Sequence, residues 1–176
     1  SYVINRANGG LTAASSVSHG NMFLIGLVAH PSGRFVYSGE YGNPTGLIRM
    51  YEPHSQTGVL SSLTPSSITG YSYAIAFHPT ADFAYALVSD NGNHRILTFT
   101  VDSNGGYLTQ VSNIAQPVYS NAIKIDPSGR FAYLAGHGGN MVCMYSINAA
   151  TGALTHLGNV PAGAQTYDLV ISSDLE

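Results

Sequence analysis

His78-Pro79-Thr80-Ala81-Asp82-Phe83-Ala84-Tyr85 is the stretch that decides the fold, because it returns twice more along the chain of 176 residues. The upstream copy is His30-Pro31-Ser32-Gly33-Arg34-Phe35-Val36-Tyr37, and the downstream copy is Asp126-Pro127-Ser128-Gly129-Arg130-Phe131-Ala132-Tyr133. Neighbouring copies begin about 48 residues apart, so the chain is built from an internal repeat.

The repeat holds short strands and no helix. An apolar run precedes each copy, as in Tyr73-Ala74-Ile75-Ala76-Phe77, and its lack of alternation is typical of a strand covered on both faces. Hairpins follow, with turns at Gly58, Gly105-Gly106 and Gly152. Such a unit is typical of a β-propeller blade. The sequence therefore predicts an all-β propeller of four-stranded antiparallel blades.

The strand count predicts one segment of about three and three-quarter blades, with repeats at about 1–49, 50–97, 98–143 and an incomplete 144–176. The last inner strand is predicted at 167–171. An open arc of blades leaves apolar faces and strand edges uncovered. We expect closure by further blades of a longer chain of about seven, or else by a second copy. A four-bladed ring closed by the terminal strand is the third alternative.

Composition narrows the classes of partner. Charged residues make up 9% of the chain and the net charge is −3, which favours neither nucleic acid nor an anionic membrane as a partner. No apolar run is long enough for a membrane helix, and Cys143 has no second cysteine for an internal disulfide. The polar, charge-poor surface favours a secreted or periplasmic protein. No cofactor motif or metal-ligand spacing is found, so we predict neither group.

The repeated pattern resembles the seven-bladed lactonase-type propellers, a group that includes 6-phosphogluconolactonase and fungal carboxy-muconate cyclase and is related to YVTN-repeat surface proteins. The resemblance rests on the three copies above and on the runs between them, Ile48-Arg49-Met50-Tyr51, Thr57-Gly58-Val59-Leu60 and Tyr145–Leu154. It implies a lactone hydrolase or cycloisomerase that acts on a small anionic or sugar-derived ligand at the channel mouth.

The family's functional signature is a Pro-Arg-His triplet at the start of an inner strand. Carried over onto this chain, the triplet falls on Leu24-Ile25-Gly26, Ser72-Tyr73-Ala74, Ser120-Asn121-Ala122 and Thr166-Tyr167-Asp168. None of these keeps the arginine or the histidine. Tyr73, Asn121 and Tyr167 stand at these positions and are candidate substrate-binding residues. Either the catalytic blades lie outside this sequence, or this member is not a lactonase.

His137 and Glu40 are the candidate catalytic residues. His137 lies in Gly136-His137-Gly138-Gly139, where small neighbours would expose an imidazole, a group suited to proton transfer near neutral pH. Glu40 is expected at the end of a second strand, where the blade loops gather. A polar turn at His137 and a solvated loop carboxylate at Glu40 are the structural alternatives.

Lys124 stands on an inner strand where the other repeats have Ala76 and Val28. A buried ammonium is costly unless it is paired, so Lys124 must reach the channel, meet a carboxylate such as Asp168 or Asp126, or extend to solvent. Lys124 and Asp168 are therefore candidate substrate-binding residues.

A second function is consistent with the same residues. The missing triplet and the scarcity of charge favour a non-enzymatic propeller that serves binding or assembly. Three further residues have a structural role instead: His30, His78 and Asp126 occupy one slot before the turn proline, so we expect them to cap that turn by hydrogen bonds.

Overall fold

The computed structural model describes residues 1–18, 23–41, 46–63, 66–68 and 70–172. Its strands are β1 (Tyr2–Ile4), β2 (Leu11–Ala13), β3 (Phe23–Ala29), β4 (Val36–Tyr41), β5 (Gly46–Pro53), β6 (Leu60–Ser62), β7 (Ser66–Ile68), β8 (Tyr71–Phe77), β9 (Phe83–Asp90), β10 (Asn93–Val101), β11 (Leu108–Ala115), β12 (Ala122–Ile125), β13 (Phe131–Gly136), β14 (Met141–Ile147) and β15 (Leu154–Pro161). A single turn of 3-10 helix, His137–Gly139, interrupts this all-β pattern within the described residues.

The strands form blades in chain order. Blade 1 contains β3–β6, with β7 paired to β5; blade 2 contains β8–β11; blade 3 contains β12–β15. Strands β1 and β2 pair with each other and form a half-blade. All pairings are antiparallel, and every blade runs in order from its inner strand to its outer strand. This architecture confirms the propeller predicted from the repeat.

The cores lie between the blades. Because strand side chains alternate, one face of β9 packs on blade 1 through Ala84, Ala86 and Val88, while Tyr85 and Leu87 point to blade 3. Phe35 and Tyr37 of the first repeat are 1% and 0% exposed in the core between blades 1 and 2. The Phe-x-Tyr pattern therefore fills the space between blades, as the sequence predicts.

One hydrogen bond recurs at both described interfaces between complete blades. The hydroxyl of Tyr37 in blade 1 donates to the carbonyl of Gly106, which lies in the outer hairpin turn of blade 2, at 2.6 Å. The hydroxyl of Tyr85 in blade 2 donates to the carbonyl of Gly152 in blade 3 at 3.0 Å. Burial raises the pKa of both phenols above the usual value, so they remain donors. We call this contact the tyrosine–turn bond.

The residue before each turn proline caps that turn. His78 accepts hydrogen bonds at Nδ1 from the backbone N–H groups of Thr80 and Ala81, at 3.2 and 2.9 Å. Asp126 accepts them from the N–H groups of Ser128 and Phe131, at 3.1 and 2.7 Å. Burial alone would raise the pKa of Asp126, but hydrogen bonds from the Ser128 hydroxyl and from the backbone N–H groups of this turn outweigh it and hold that pKa below its usual value. The predicted capping role is confirmed.

His78 also joins two blades. Its Nε2 donates to the carbonyl of Gly129 in the equivalent turn of blade 3, at 2.9 Å, and the imidazole is buried. Gly129 has a φ of +72°, and a Cβ atom there would lie 2.3 Å from the His78 ring. Glycine is therefore required at this turn both by the backbone conformation and by the neighbouring blade.

The last predicted inner strand is wrong in detail. Residues 166–172 form no strand, although blades 1 to 3 have an inner strand at this place in the repeat. The other inner strands pair with a following Phe-x-Tyr strand, as β8 pairs with β9. Backbone donors need such a partner to form a ladder, and residues 166–172 pair with no strand among the described residues. Residues 173–176 lie outside the described residues.

Removing the Tyr85 hydroxyl tests the tyrosine–turn bond. Tyr85→Phe should lower the free energy of unfolding by about 1–2 kcal/mol, because it leaves a buried carbonyl at Gly152 without its donor. Tyr133→Phe is the matched control, since Tyr133 holds the same place in the repeat and has no such bond within the described residues. Urea denaturation measures both, and an equal loss in the two variants would contradict the assignment.

The two equivalent turn glycines separate backbone strain from contact between blades. Gly33→Ala should cost about 1 kcal/mol, because φ is +71° but open space surrounds the position. Gly129→Ala should cost about 1–3 kcal/mol more, because its methyl group meets the buried His78 ring. Thermal unfolding of both variants checks the difference. Equal costs would show that the His78 contact does not constrain the turn.

Candidate functional site

An open cavity lies where the inner strands converge. It measures about 480 Å³ and is bordered by β3, β8, β12 and the segment 166–172. Inner strands line the axis of a propeller, so this cavity is the described side of the central channel. Blade 1 contributes apolar groups, including Ile25, Leu27 and Val28, whereas blades 2 and 3 contribute the polar ones.

Five residues predicted from the sequence line this one cavity: Tyr73, Asn121, Lys124, Tyr167 and Asp168. Tyr73, Asn121 and Tyr167 stand at equivalent positions of successive repeats. The repeat brings them together, because it places the start of every inner strand at the same end of the channel. The structure thus gathers the whole predicted substrate-binding set.

Lys124 reaches the channel from the middle of β12. Its Nζ lies 3.5 Å from Oδ1 of Asp168, and the two side chains are 45% and 71% exposed. Of the alternatives for this lysine, channel access and pairing with Asp168 therefore both hold. An ion pair this exposed adds little to stability, so the ammonium is held near the axis but stays open to a ligand.

Three tyrosines form a wall of the cavity: Tyr73, Tyr119 and Tyr167. We call them the tyrosine wall. The rings of Tyr73 and Tyr119 lie edge to face, with centroids 5.3 Å apart. Tyr119 was not among the predicted residues. It repeats Tyr71 at the period of the blade, so its pattern indicates a structural loop residue, and only the fold places it at the channel.

His137 stands beside this wall. Its ring lies 5.3 Å from the ring of Tyr167 and 5.9 Å from that of Tyr119, edge to face in both cases. The imidazole is half-buried in the 3-10 turn between β13 and β14, less open than the glycine neighbours suggest. His137 is thus next to the cavity, and a base at this position is compatible with the geometry.

Glu40 stands near the end of the second strand, as expected, but its side chain is buried and not solvated. It lies within β4, is 0% exposed, and forms an ion pair with Arg49 of β5. Gly39 faces Ser72 of blade 2, so strand alternation turns Glu40 toward the half-blade instead. Glu40 is not among the residues that line the channel cavity, and its structural alternative, a solvated loop carboxylate, is corrected by its burial.

A metal site and a membrane-spanning helix are both absent from the described residues. In that part of the chain, no three His, Cys, Asp or Glu side chains come together as a metal site. The same residues contain no helix of the length and apolar character needed to cross a bilayer.

Four-stranded blades packed face to face around an axial, ligand-sized cavity define a β-propeller. Residues 55–167 match the family model described as lactonase, 7-bladed beta-propeller, and the chain belongs to that family. The match covers blades 2 and 3 and the residues that carry the tyrosine wall. No curated protein matches the sequence.

Solved structures agree on the fold. A Bacteroides uniformis protein assigned as a 6-phosphogluconolactonase is 19% identical, with a TM-score of 0.81 over 95% of this chain and 49% of its own. A Bacteroides fragilis protein with the same assignment is 20% identical, with a TM-score of 0.77 over 94% and 49%. The periplasmic gluconolactonase of Pseudomonas aeruginosa is 14% identical, with a TM-score of 0.63 over 94% and 64%. The chain thus spans about half the length of the first two.

A structural role for Glu40 gives a stability test. Arg49→Met should lower the free energy of unfolding by about 2–4 kcal/mol, because it leaves a buried carboxylate without its cation. Lys124→Met is the control and should cost less than about 1 kcal/mol, because its ion pair is exposed. Chemical denaturation measures both variants. An Arg49→Met protein of unchanged stability would contradict this role.

Proposed function

We propose that this chain is the ligand-holding part of a lactonase that acts on a small sugar-derived or anionic lactone at the channel mouth. The observation that supports the proposal is the axial cavity, where a cation, a carboxylate, an amide and three tyrosines converge beside a histidine. Convergent polar groups in a concave, partly apolar site are typical of small-molecule binding. Membership of the lactonase family supports the same reaction class.

In the proposed reaction, His137 accepts a proton from a water molecule while the water oxygen bonds to the lactone carbonyl carbon. The bond between that carbon and the ring oxygen then breaks, and the proton passes from His137 to the leaving ring oxygen. The product is an open hydroxy acid. Lys124 holds the acid group or polarised oxygen of the ligand, in competition with Asp168.

Proteins of similar fold support this reaction class through the activities that their names give. Two of the similar structures are assigned as 6-phosphogluconolactonases and a third is named as a gluconolactonase, which supports lactone hydrolysis as the reaction class. This chain spans about half of the first two proteins. The roles proposed for His137 and Lys124 do not come from the family's Pro-Arg-His triplet, because the equivalent positions in this chain hold no arginine or histidine.

A non-enzymatic binding or assembly propeller is the second candidate. The observation that favours it is the exposed apolar surface of the inner strand of blade 1, where Leu27 is 73% exposed and Leu24 is 47% exposed. Contact with further blades or with a second copy would cover such a surface. In this case the cavity binds a ligand or partner without turning it over.

Hydrolysis of D-glucono-δ-lactone, followed by acid release and corrected for the spontaneous rate, separates the two candidates. His137→Gln should lower kcat about 100-fold through loss of the base, and Lys124→Met should raise KM about tenfold through loss of the cation. His156→Gln is the control, because His156 lies on β15 and hydrogen-bonds Asn159. A wild-type rate equal to the spontaneous rate, or no effect of His137→Gln, would contradict the enzyme proposal.

A further inference from the structure

Three histidines of blades 1 and 2 accept backbone hydrogen bonds at tight turns, namely His30, His54 and His78. Nδ1 is the acceptor in each case, and the donors are N–H groups two or three residues further along the chain. An imidazole nitrogen accepts a hydrogen bond only while it carries no proton. These turns are therefore closed by the neutral form of the side chain.

Blade 3 closes the equivalent turns with other groups. Asp126 occupies the slot of His30 and His78, and Asn148 occupies that of His54, each with a side-chain oxygen as the acceptor. Although burial opposes ionisation, the hydrogen bonds of its turn hold the pKa of Asp126 below the usual value, and an amide does not titrate. Mild acid can therefore remove the histidine caps of blades 1 and 2 and leave the caps of blade 3 in place.

His78 has no position for a second proton. Its Nε2 donates to the carbonyl of Gly129, so that nitrogen holds the one proton of the neutral ring. A proton on Nδ1 would point at the N–H groups of Thr80 and Ala81, whose nitrogens lie 3.2 and 2.9 Å away. The residue is only 5% exposed, so a cation there would also lose most of its hydration. The protonated ring therefore fits only after the turn opens.

His30 occupies the same position at the junction of blades 1 and 2. Its ring lies edge to face with Phe77 of blade 2, at 5.1 Å between centroids, and with Phe35 of its own blade, at 6.3 Å. Burial lowers the pKa of His30, and the charge of Asp82 in the blade 2 turn only partly offsets that effect. Arg34, the charged residue of its own turn, is a cation and cannot stabilise an imidazolium. Acid therefore acts on both junctions in the same direction.

The charged residues of the two turns around His78 are Asp82, Asp126 and Arg130. The carboxylate oxygens of Asp126 accept hydrogen bonds from the N–H groups of their own turn. The guanidinium of Arg130 lies over the aromatic ring that follows it, 5.2 Å from the ring centroid. The carboxylate of Asp82 interacts with His30 across the other junction. Within these two described turns, no carboxylate is therefore dedicated to an imidazolium at His78.

We propose that His30 and His78 are acid-sensitive clasps, which hold blade 1 to blade 2 and blade 2 to blade 3 at neutral pH and open when the rings are protonated. Each ring takes up one proton from water at Nδ1. The hydrogen bonds from the backbone N–H groups of the turn then break, and the cation becomes hydrated as the turn leaves the junction. Blade 3 keeps its own cap at Asp126. No ligand takes part, so this inference does not rest on the proposed function.

Protonation of the two histidines makes the folded state weaker in acid than at neutral pH. An unperturbed histidine titrates near pH 6.5, so below this pH the unfolded chain binds protons that the closed turns exclude. Stability is therefore complete above about pH 7 and falls as the pH decreases. Full exclusion raises the unfolding constant about tenfold per histidine from pH 7.5 to 5.5, and about a hundredfold for both clasps together.

Hydrogen exchange of individual amides tests the proposal within one molecule. The amides of Thr80 and Ala81, which donate to His78, should lose protection about tenfold between pH 7.5 and 5.5, after correction for the intrinsic exchange rate. The amides of Ser128 and Phe131, in the equivalent turn of blade 3, are the internal control and should change less than about threefold. Equal loss in the two turns, or no loss in either, would overturn the proposal.

Substitution of each clasp by asparagine separates the two junctions. Asparagine does not titrate and keeps an acceptor oxygen, as Asn148 does at the outer turn of blade 3. In urea denaturation at pH 7.5 and 5.5, His30→Asn and His78→Asn should each remove about tenfold of the acid-induced rise in the unfolding constant. His156→Asn is the control, because His156 lies on β15 and pairs with Asn159 instead of capping a turn. The wild-type rise should remain in this control.

The acid-induced rise decides the outcome. A rise of wild-type size in His78→Asn, or a rise lost in His156→Asn, would overturn the proposal. Where His78→Asn fails to fold, the exchange of the wild-type Thr80 and Ala81 amides and the result for His30→Asn carry the test. An inactive protein with acid-sensitive junctions would refute the proposed function alone. An active enzyme whose stability is the same at both pH values would refute this inference alone.

Discussion

The tyrosine–turn bond is the contact on which the rest of the structure depends. It joins the second strand of one blade to the outer hairpin of the next. The hydroxyl is buried in both cases, and a buried donor or acceptor without a partner costs more than the bond itself gains. Each blade therefore fits its neighbour in one register, and His78 adds a second fixed point near the axis.

Fixed packing between blades explains how a chain with few charged residues builds a defined site. The inner strands cannot slide, so Tyr73, Tyr119 and Lys124 project into the channel from blades that share no backbone hydrogen bonds. The core supplies the rigidity, and the inner strands together with the loops beside them supply the polar groups of the site.

Residue patterns predict much of this molecule, because the repeat converts sequence spacing into spatial position. Phe35 and Tyr37 could be placed between blades, and Lys124 at the channel, by comparing equivalent positions. The burial of Glu40 could not be predicted, since its partner Arg49 lies on the next strand. Strand alternation decides which face of the blade carries the pair. Tyr119 was missed because its role arises from three rings distant in sequence. The strand expected at 167–171 needed a pairing partner that no local pattern supplies.

The ion pair of Glu40 with Arg49 makes one face of blade 1 unlike the equivalent faces of blades 2 and 3. The equivalent positions are Val88 and Leu97 in blade 2, and Gly136 and Cys143 in blade 3, all of them uncharged. Repeats with interchangeable faces can associate out of order. Both partners lie on blade 1, so the pair stays intact wherever that blade packs, and burial of its charges against an apolar face costs free energy. The pair thus distinguishes blade 1 from blades 2 and 3 by the charge that it buries.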